Sequence, residues 1–362
     1  MNYQLKSRQV CFFLIAFMPI TKLFVLPSML AKTANEDMWI SAVISLLVDF
    51  LTLLSIVYAC KKSKTNFFGL LENSFGKVGT KIVLMMYFVY FMLKAVLPLN
   101  EQKDYVEFTL YTLKPTVFYF LPFFIVALYF CAKKLRVIGR TADIMWLITV
   151  NGFVTLIALS ITNADFGAIL PIGANGIGSI VKGSYSSLSW FGDVSYLLFF
   201  IGEFKYGKKD GLKIFLSFLV GAVMIIIFMI IFYCIFTSIA FRQRFALTEI
   251  SKYTTVINNL GRFDYIGIIM ILFVNLFCLS LPMFFSCRIL NYVFKFKKPW
   301  IASAICVGIQ ALILLVFYQF IAGIENFMIN YAGIYFFLLG NVFPIALVFM
   351  VKKGVKKLNA QG

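Results

Sequence analysis

The chain contains no histidine and few charged residues of either sign. Charged side chains make up 13% of its 362 residues, and only 15 residues are aspartate or glutamate. Histidine is the commonest metal ligand and the side chain that most readily exchanges a proton near neutral pH. The sequence also lacks a Cys-x-x-Cys pair and any evident nucleophile–base pair. These absences predict no metal site, no cofactor and no enzymatic activity.

Apolar residues are abundant instead. The chain is 62% hydrophobic and has a mean hydropathy of +0.93, whereas a soluble domain is about 45–50% apolar. This composition predicts an all-α integral membrane protein. The seven cysteines all lie in or at the ends of apolar runs, so we interpret them as small buried apolar side chains.

Ten apolar runs are long enough to cross a hydrocarbon core of about 30 Å. They lie at 9–31, 39–60, 81–99, 116–132, 141–162, 184–203, 212–240, 264–287, 300–322 and 329–351. Most lysines and arginines fall in alternate connections, which predicts a multi-pass protein with both termini in the cytoplasm. Membrane topology and contact with anionic lipid therefore explain the net charge of +18, so this charge does not imply that the protein binds nucleic acid.

Two long connections differ in character. Residues 163–183 are rich in glycine, which predicts an irregular loop. Residues 241–263 carry apolar side chains at helical spacing, from Leu247 to Leu260. This spacing predicts an amphipathic helix that lies either over the outer mouth of the bundle or on lipid headgroups.

The first apolar run is interrupted by Pro19 and Lys22. A lysine near the bilayer midplane costs at least about 2.5–3.5 kcal/mol, and proline removes a hydrogen bond from a helix. In lipid, freed backbone groups are tolerated only where protein or a water-filled cavity meets them. We therefore predict a discontinuous helix that lines a polar site.

The ten runs divide into five and five. An odd number of spans in each half inverts the second half, as in many secondary transporters. We therefore predict one transmembrane domain, 1–362, with inverted repeats at approximately 9–162 and 183–351. The offset between the halves places 19–22 opposite 193–196, beside Gly192 and Asp193. Since both residue types weaken a helix, we predict a LeuT-like fold in which helices one and six are discontinuous.

Such a fold binds its substrate at the midplane, between the two broken helices. Half-helix N-termini face an anionic group and unwound carbonyls face a cation, and an α-amino acid has both groups. The predicted substrate-binding residues are Pro19, Ile20, Thr21, Lys22, Trp190, Phe191, Gly192 and Asp193. Two alternatives remain open: Lys22 and Asp193 form an ion pair that locks the helices without a ligand, or Lys22 extends away to the interface.

Four further polar residues lie within the apolar runs and are candidates for an ion site or a pathway: Asp49, Lys94, Asn275 and Ser280. We expect Lys94 to extend to the outer interface and Asp49 to have a buried partner such as a lysine. Asn275 and Ser280 contribute either to an ion site or to ordinary interhelical hydrogen bonds.

Short patterns along the chain resemble those of a known family. They are Ser7-Arg8-Gln9, Leu26-Pro27-Ser28, Asp37-Met38-Trp39-Ile40-Ser41, Leu135-Arg136-Val137-Ile138-Gly139-Arg140, Phe191-Gly192-Asp193 and Leu260-Gly261-Arg262-Phe263-Asp264. Together they resemble the B subunit of spore germinant receptors, a branch of the amino acid–polyamine–organocation (APC) transporter superfamily. The 135–140 pattern lacks the glycine and glutamate of the family's Gly-Leu-Glu-x-x-x-Arg, and Asp193 is shorter than the glutamate of its Phe-Gly-Glu.

The resemblance implies the ten-helix, five-plus-five fold and a role in spore germination. It implies that the protein senses a small-molecule nutrient, often an amino acid, in the inner membrane of a dormant spore. An A subunit and a lipoprotein C subunit are the implied partners. Two other functions remain open on the residues alone: an amino acid permease coupled to protons or a cation, and an ion-conducting channel subunit.

Overall fold

The structure is a computed structural model that describes residues 4–63, 65–109, 117–252, 264–316 and 321–359. Apart from one parallel bridge between Leu5 and Phe204, the regular secondary structure of these residues is helical. The α-helices are α1 (Ser7–Phe17), α2 (Leu26–Ala34), α3 (Met38–Lys62), α4 (Phe67–Thr109), α5 (Val117–Cys131), α6 (Leu135–Ser160), α7 (Gly176–Ser186), α8 (Asp210–Phe236), α9 (Ala246–Lys252), α10 (Asp264–Phe294), α11 (Pro299–Val316), α12 (Ile321–Asn330), α13 (Ala332–Phe337) and α14 (Phe343–Asn359). The all-α prediction is confirmed.

Many of these helices have the length and composition of membrane spans. Among the described residues, six helical stretches are long and apolar enough to cross a bilayer: Leu26–Lys62, Phe67–Asp104, Leu135–Asn163, Asp210–Arg242, Ile269–Phe294 and Ala332–Val351. Two shorter apolar helices, Phe120–Cys131 and Pro299–Leu315, accompany them. The chain is therefore a multi-pass integral membrane protein.

The first and sixth predicted segments are both discontinuous, as expected. In the first, α1 ends at Phe17, a 3₁₀ turn covers Ile20–Lys22, and α2 begins at Leu26. In the sixth, α7 is followed by two 3₁₀ helices, Ser187–Ser189 and Asp193–Phe200. The break falls at Gly192, whose φ of 81° is left-handed, a conformation that glycine adopts without strain.

Several boundaries differ from those predicted. The sixth segment begins at Gly176, because part of the glycine-rich connection is helical, and α4 continues to Thr109 after a kink at Gly76. The tenth segment is interrupted as well, by a π-turn at Leu338–Val342 between α13 and α14. Such turns are often found at functional sites, and the apolar pattern of this segment did not reveal it.

The connection after α8 contains part of the predicted amphipathic helix. The amide of Ala246 donates to the carbonyl of Phe24 at 2.9 Å, and that of Leu247 to the carbonyl of Leu23 at 3.1 Å. Helix α9 therefore lies over the break in the first segment rather than on lipid headgroups. Residues 253–263, which include most of the 260–264 pattern, lie outside the described residues.

Aromatic rings pack the interior around the second break. The ring of Phe285 on α10 lies 5.4 Å from that of Tyr196 and 5.0 Å from that of Phe199. Phe91 on α4 lies 5.0 Å from Tyr196. These tilted contacts, each worth about 0.5–1.5 kcal/mol beyond burial, hold the short 3₁₀ helix Asp193–Phe200 against α4 and α10.

A glycine substitution tests the turn that follows this 3₁₀ helix. Gly202 has a φ of 75°, and a Cβ added there would lie 2.8 Å from the Cα of Asn66. We expect Gly202→Ala to lower the free energy of unfolding in detergent by at least about 1 kcal/mol, since both the left-handed backbone and the clash oppose it. Thermal unfolding of the purified protein measures the effect.

Gly308→Ala is the matched control. Gly308 lies in α11, and a Cβ added there has no neighbour within 4 Å. Alanine is a better helix former than glycine, so this variant is expected to be unchanged or slightly more stable. A melting temperature for Gly202→Ala as high as that of Gly308→Ala would contradict the turn geometry.

Candidate functional site

The carboxylate of Asp193 lies between two lysine ammonium groups. Lys22 Nζ contacts Asp193 Oδ2, and Lys94 Nζ lies 3.0 Å from Asp193 Oδ1. The side chains of Lys22, Lys94 and Asp193 are only 0%, 6% and 3% exposed. The three charges come from the break in the first segment, from α4 and from the break in the sixth, so this ionic cluster joins both breaks to α4.

The two lysines also donate hydrogen bonds to backbone carbonyls at the breaks. Lys22 Nζ donates to the carbonyl of Met18 at 3.0 Å, and Lys94 Nζ donates to the carbonyls of Phe191 and Ser189. An interrupted helix leaves carbonyls without their usual amide donors. The ammonium groups therefore satisfy both the buried carboxylate and the freed carbonyls.

Asp49 holds the second break from the opposite side. Its Oδ1 accepts from the amide of Gly192 at 2.9 Å and from Asn341 Nδ2 at 2.8 Å, and Asn341 Nδ2 also lies 3.0 Å from Thr52 Oγ1. Asp49 therefore has buried partners, as expected, and those that contact it are the backbone amide of Gly192 and the side chain of Asn341 rather than a lysine. The formal charges of Asp49, Asp193 and the two lysines cancel within the buried region.

Two glycines permit the sixth and tenth segments to approach closely. A Cβ added to Gly340 would lie 3.0 Å from the hydroxyl of Tyr90 and 3.2 Å from the Cα of Gly192. The same tyrosine hydroxyl lies 3.2 Å from Ser195 Oγ. Gly340 and Asn341 belong to the site although the sequence reasoning missed them. The sequence feature that could have indicated them is the Gly-Asn pair itself, which interrupts an otherwise apolar run.

A small cavity lies beside Asp193. It has a volume of about 20 Å³ and is lined by residues that include Thr21, Lys94, Ser189, Trp190 and Asp193. This is room for about one water molecule. The site is therefore closed around its own side chains in this conformation.

Polar contacts surround this cavity along α4 and α10. Trp190 Nε1 donates to Glu101 Oε1 at 2.9 Å, and Asn275 Nδ2 donates to Gln102 Oε1 at 2.5 Å. Glu101 lies two helical turns beyond Lys94 on α4, so the indole of Trp190, which lines the cavity, gives the sixth segment a second contact with that helix.

All eight predicted substrate-binding positions, 19–22 and 190–193, lie at the two breaks, and Thr21 and Lys22 contact Asp193 there. Asp49 and Lys94 join them, and the expectation that Lys94 extends to the outer interface is wrong, because its ammonium pairs with Asp193. Asn275 and Ser280 do not line the cavity. Asn275 bonds Gln102, and Ser280 Oγ donates to the carbonyl of Phe277 within α10. Lys22 and Asp193 are paired directly, as in the locked alternative.

Two broken helices around a buried charged site, within a bundle of membrane spans, define a transporter-like membrane protein rather than an enzyme. Residues 4–326 match the profile of a family described as spore germination protein. The chain therefore belongs to this family of spore germination permeases. A comparison with curated protein sequences found no significant match.

Solved structures of a manganese transporter from Eremococcus coleocola share the fold. Two point variants, one with a histidine changed to alanine and one with a glutamate changed to glutamine, each align with a TM-score of 0.62 and 11% identity, covering 94% of this chain and 78% of theirs. The same transporter in complex with an aromatic bis-isothiourea substituted compound aligns with a TM-score of 0.54 and 10% identity over the same shares. The LeuT-like fold is thereby confirmed, and identity this low shows the fold alone.

Removing one charge at a time tests the ionic cluster. We expect Asp193→Leu to destabilise the protein by about 3–5 kcal/mol, because two buried ammonium groups lose their carboxylate. Lys22→Met should cost less, since Asp193 keeps Lys94 as a partner. Thermal unfolding in detergent ranks the stability of the two variants, with labelling of the buried cysteines as the readout of unfolding.

Lys213→Met is the control for this ranking. The Lys213 side chain is 61% exposed and lies 3.7 Å from Asp210, and an exposed ion pair contributes little. The order of stability should therefore be Lys213→Met, then Lys22→Met, then Asp193→Leu. If Asp193→Leu unfolds no earlier than Lys22→Met, Asp193 is not the shared partner of the two lysines.

Proposed function

We propose that this protein is the nutrient-sensing subunit of a spore germinant receptor and that its ligand is an amino acid bound at Asp193. The observation that carries the proposal is the buried carboxylate held by two ammonium groups where two broken segments meet. Membership of the germination family supports the role. The fold supports the proposed position of the ligand at Asp193, because such folds bind their substrates between the two broken helices.

The charge balance of the site favours a zwitterion. Asp49, Asp193, Lys22 and Lys94 are together neutral, so a ligand with a net charge would leave one buried charge uncompensated, which is costly. An α-amino acid adds one charge of each sign. We propose that its ammonium group binds Asp193 and that its carboxylate binds either Lys22 or Lys94.

Binding requires the site to open, since the cavity beside Asp193 has a volume of only about 20 Å³. A ligand that enters between Lys94 and Asp193 replaces their 3.0 Å ion pair and separates the sixth segment from α4. The hydrogen bond between Trp190 and Glu101 joins the same two elements, so we infer that it breaks in the same step. This movement is the signal that a sensing subunit would transmit.

Partners and location follow from the family resemblance. We infer that an A subunit and a lipoprotein C subunit receive the movement and that the receptor lies in the spore inner membrane. The distribution of lysine and arginine supports an orientation with both termini in the cytoplasm. The basic connections would then face anionic lipid headgroups.

A working amino acid permease is the second candidate. The observation that favours it is the alignment with a manganese transporter over 94% of this chain, since the same fold moves substrates there. Uptake of labelled amino acids by the protein alone in liposomes separates the two functions. Accumulation driven by a proton or cation gradient would support the permease, and binding without accumulation would support the sensor.

The binding site is tested with a panel of amino acids and the purified protein. For any amino acid that binds, we expect Asp193→Asn to raise the dissociation constant at least about tenfold, because a hydrogen bond to a charged group is worth about 1.5–3 kcal/mol. Isothermal titration measures the constants. The nutrient concentration for half-maximal germination of spores carrying the variant should shift in the same direction.

Lys213→Gln serves as the control for both measurements, because the Lys213 side chain is exposed and lies beside Asp210 on α8. It should bind and germinate as the wild type does. Unchanged affinity of Asp193→Asn for a bound amino acid would exclude the proposed site. Wild-type spores that respond only to nutrients without an ammonium group would exclude the proposed ligand class.

A further inference from the structure

A second concave region lies on the surface of the bundle, between α4 and the helices α12 and α13. It is an apolar groove of about 730 Å³, and its lining includes Lys81, Met86, Val89, Leu93, Tyr331 and Tyr335. This volume is within the range of about 300–1,000 Å³ found for small-molecule sites. Met86 and Val89 are each 45% exposed. Because α4 and α13 belong to membrane-spanning stretches, the groove opens towards lipid.

We propose that this groove between α4 and α13 binds one anionic phospholipid, with an acyl chain along α4 and the phosphate at Lys81. Lys81 is the only charged residue that lines the groove among those described, and it is exposed at the start of the apolar run 81–99, five residues after the kink at Gly76. Lys77, one helical turn earlier, is exposed as well. Lys77 and Lys81 would bind the phosphate of an anionic lipid, and the apolar groove beside them would hold its acyl chain.

The length of the groove favours an acyl chain over a helix of another protein. Lys81 and Leu93 are twelve residues apart, which is about 18 Å along a helix. One leaflet is half of a hydrocarbon core of about 30 Å, so the groove spans one leaflet. A transmembrane helix would require a contact surface through both leaflets.

The floor of the groove is connected to the Asp193 site. The hydroxyl of Tyr335 donates to the carbonyl of Met86 at 2.8 Å, and that of Tyr87 donates to the carbonyl of Leu339 at 2.8 Å. The next turns of α4 carry Tyr90 and Lys94, which contact the second break. A lipid held in the groove would therefore set the spacing between α4 and α13, and lipid composition would regulate the site.

The test uses the purified full chain in nanodiscs that contain equal amounts of phosphatidylglycerol and phosphatidylcholine. Native mass spectrometry counts the lipids retained after release from the disc. We expect Lys81→Gln to lower the preference for phosphatidylglycerol about fivefold, since one basic residue near an anionic surface contributes about 1 kcal/mol. Lys61→Gln is the matched control, because Lys61 is exposed at the end of α3 and does not line the groove.

A second variant tests the apolar part. Val89→Trp fills the groove at a position that already faces outward, so it should fold, and it should lower the retention of both lipids several-fold. Retention unchanged by Val89→Trp would overturn the proposal. An equal effect of Lys61→Gln and Lys81→Gln would also overturn it, because surface charge alone would then explain the preference. Co-purification of a protein that crosslinks to the groove in place of lipid would assign it to a protein partner instead.

Discussion

The site depends on one physical requirement: a charge buried in a membrane must have a partner of opposite sign. Asp193 meets this requirement with Lys22 and Lys94. The broken helices add a second requirement, because their freed carbonyls need donors. The same two ammonium groups meet both, through Asp193 and through the carbonyls of Met18 and Phe191. Neither the breaks nor the lysines would be tolerable alone, which explains why they occur together.

The surrounding helices fix the second break from two sides. Asp49 on α3 accepts from the amide of Gly192, and Asn341 in the π-turn of the tenth segment donates to Asp49. The sixth segment is thus held by buried polar contacts rather than by a continuous helix. The proposed ligand would compete with these internal contacts, so its apparent affinity would be reduced according to the fraction of molecules in the open state. For the proposed nutrient sensor, this competition would raise the concentration of nutrient needed for a response.

The sequence was sufficient to predict the helical class and both breaks, because the signals are local. A lysine beside Pro19 and a glycine next to Asp193 are costly wherever they occur in an apolar helix. The partners of Lys94 could not be predicted in the same way. A lysine near the end of an apolar run is compatible with the interface and with burial, and the choice depends on Asp193, which lies far away in the chain. The role of Gly340 likewise depends on its approach to Gly192.

The fold that this chain shares with a manganese transporter does not imply that the two proteins share a substrate. At 11% identity the alignment shows the fold alone, and the side chains at the breaks determine the chemistry. Here two ammonium groups lie at the breaks, where they pair with Asp193 and accept no cation as a ligand. Among the described residues no group of three or more cysteine, aspartate or glutamate side chains has the arrangement of a metal site, and the chain has no histidine. In the proposed site the ammonium groups already occupy carbonyls that a cation would need, so these side chains favour the proposed organic zwitterion over a metal ion.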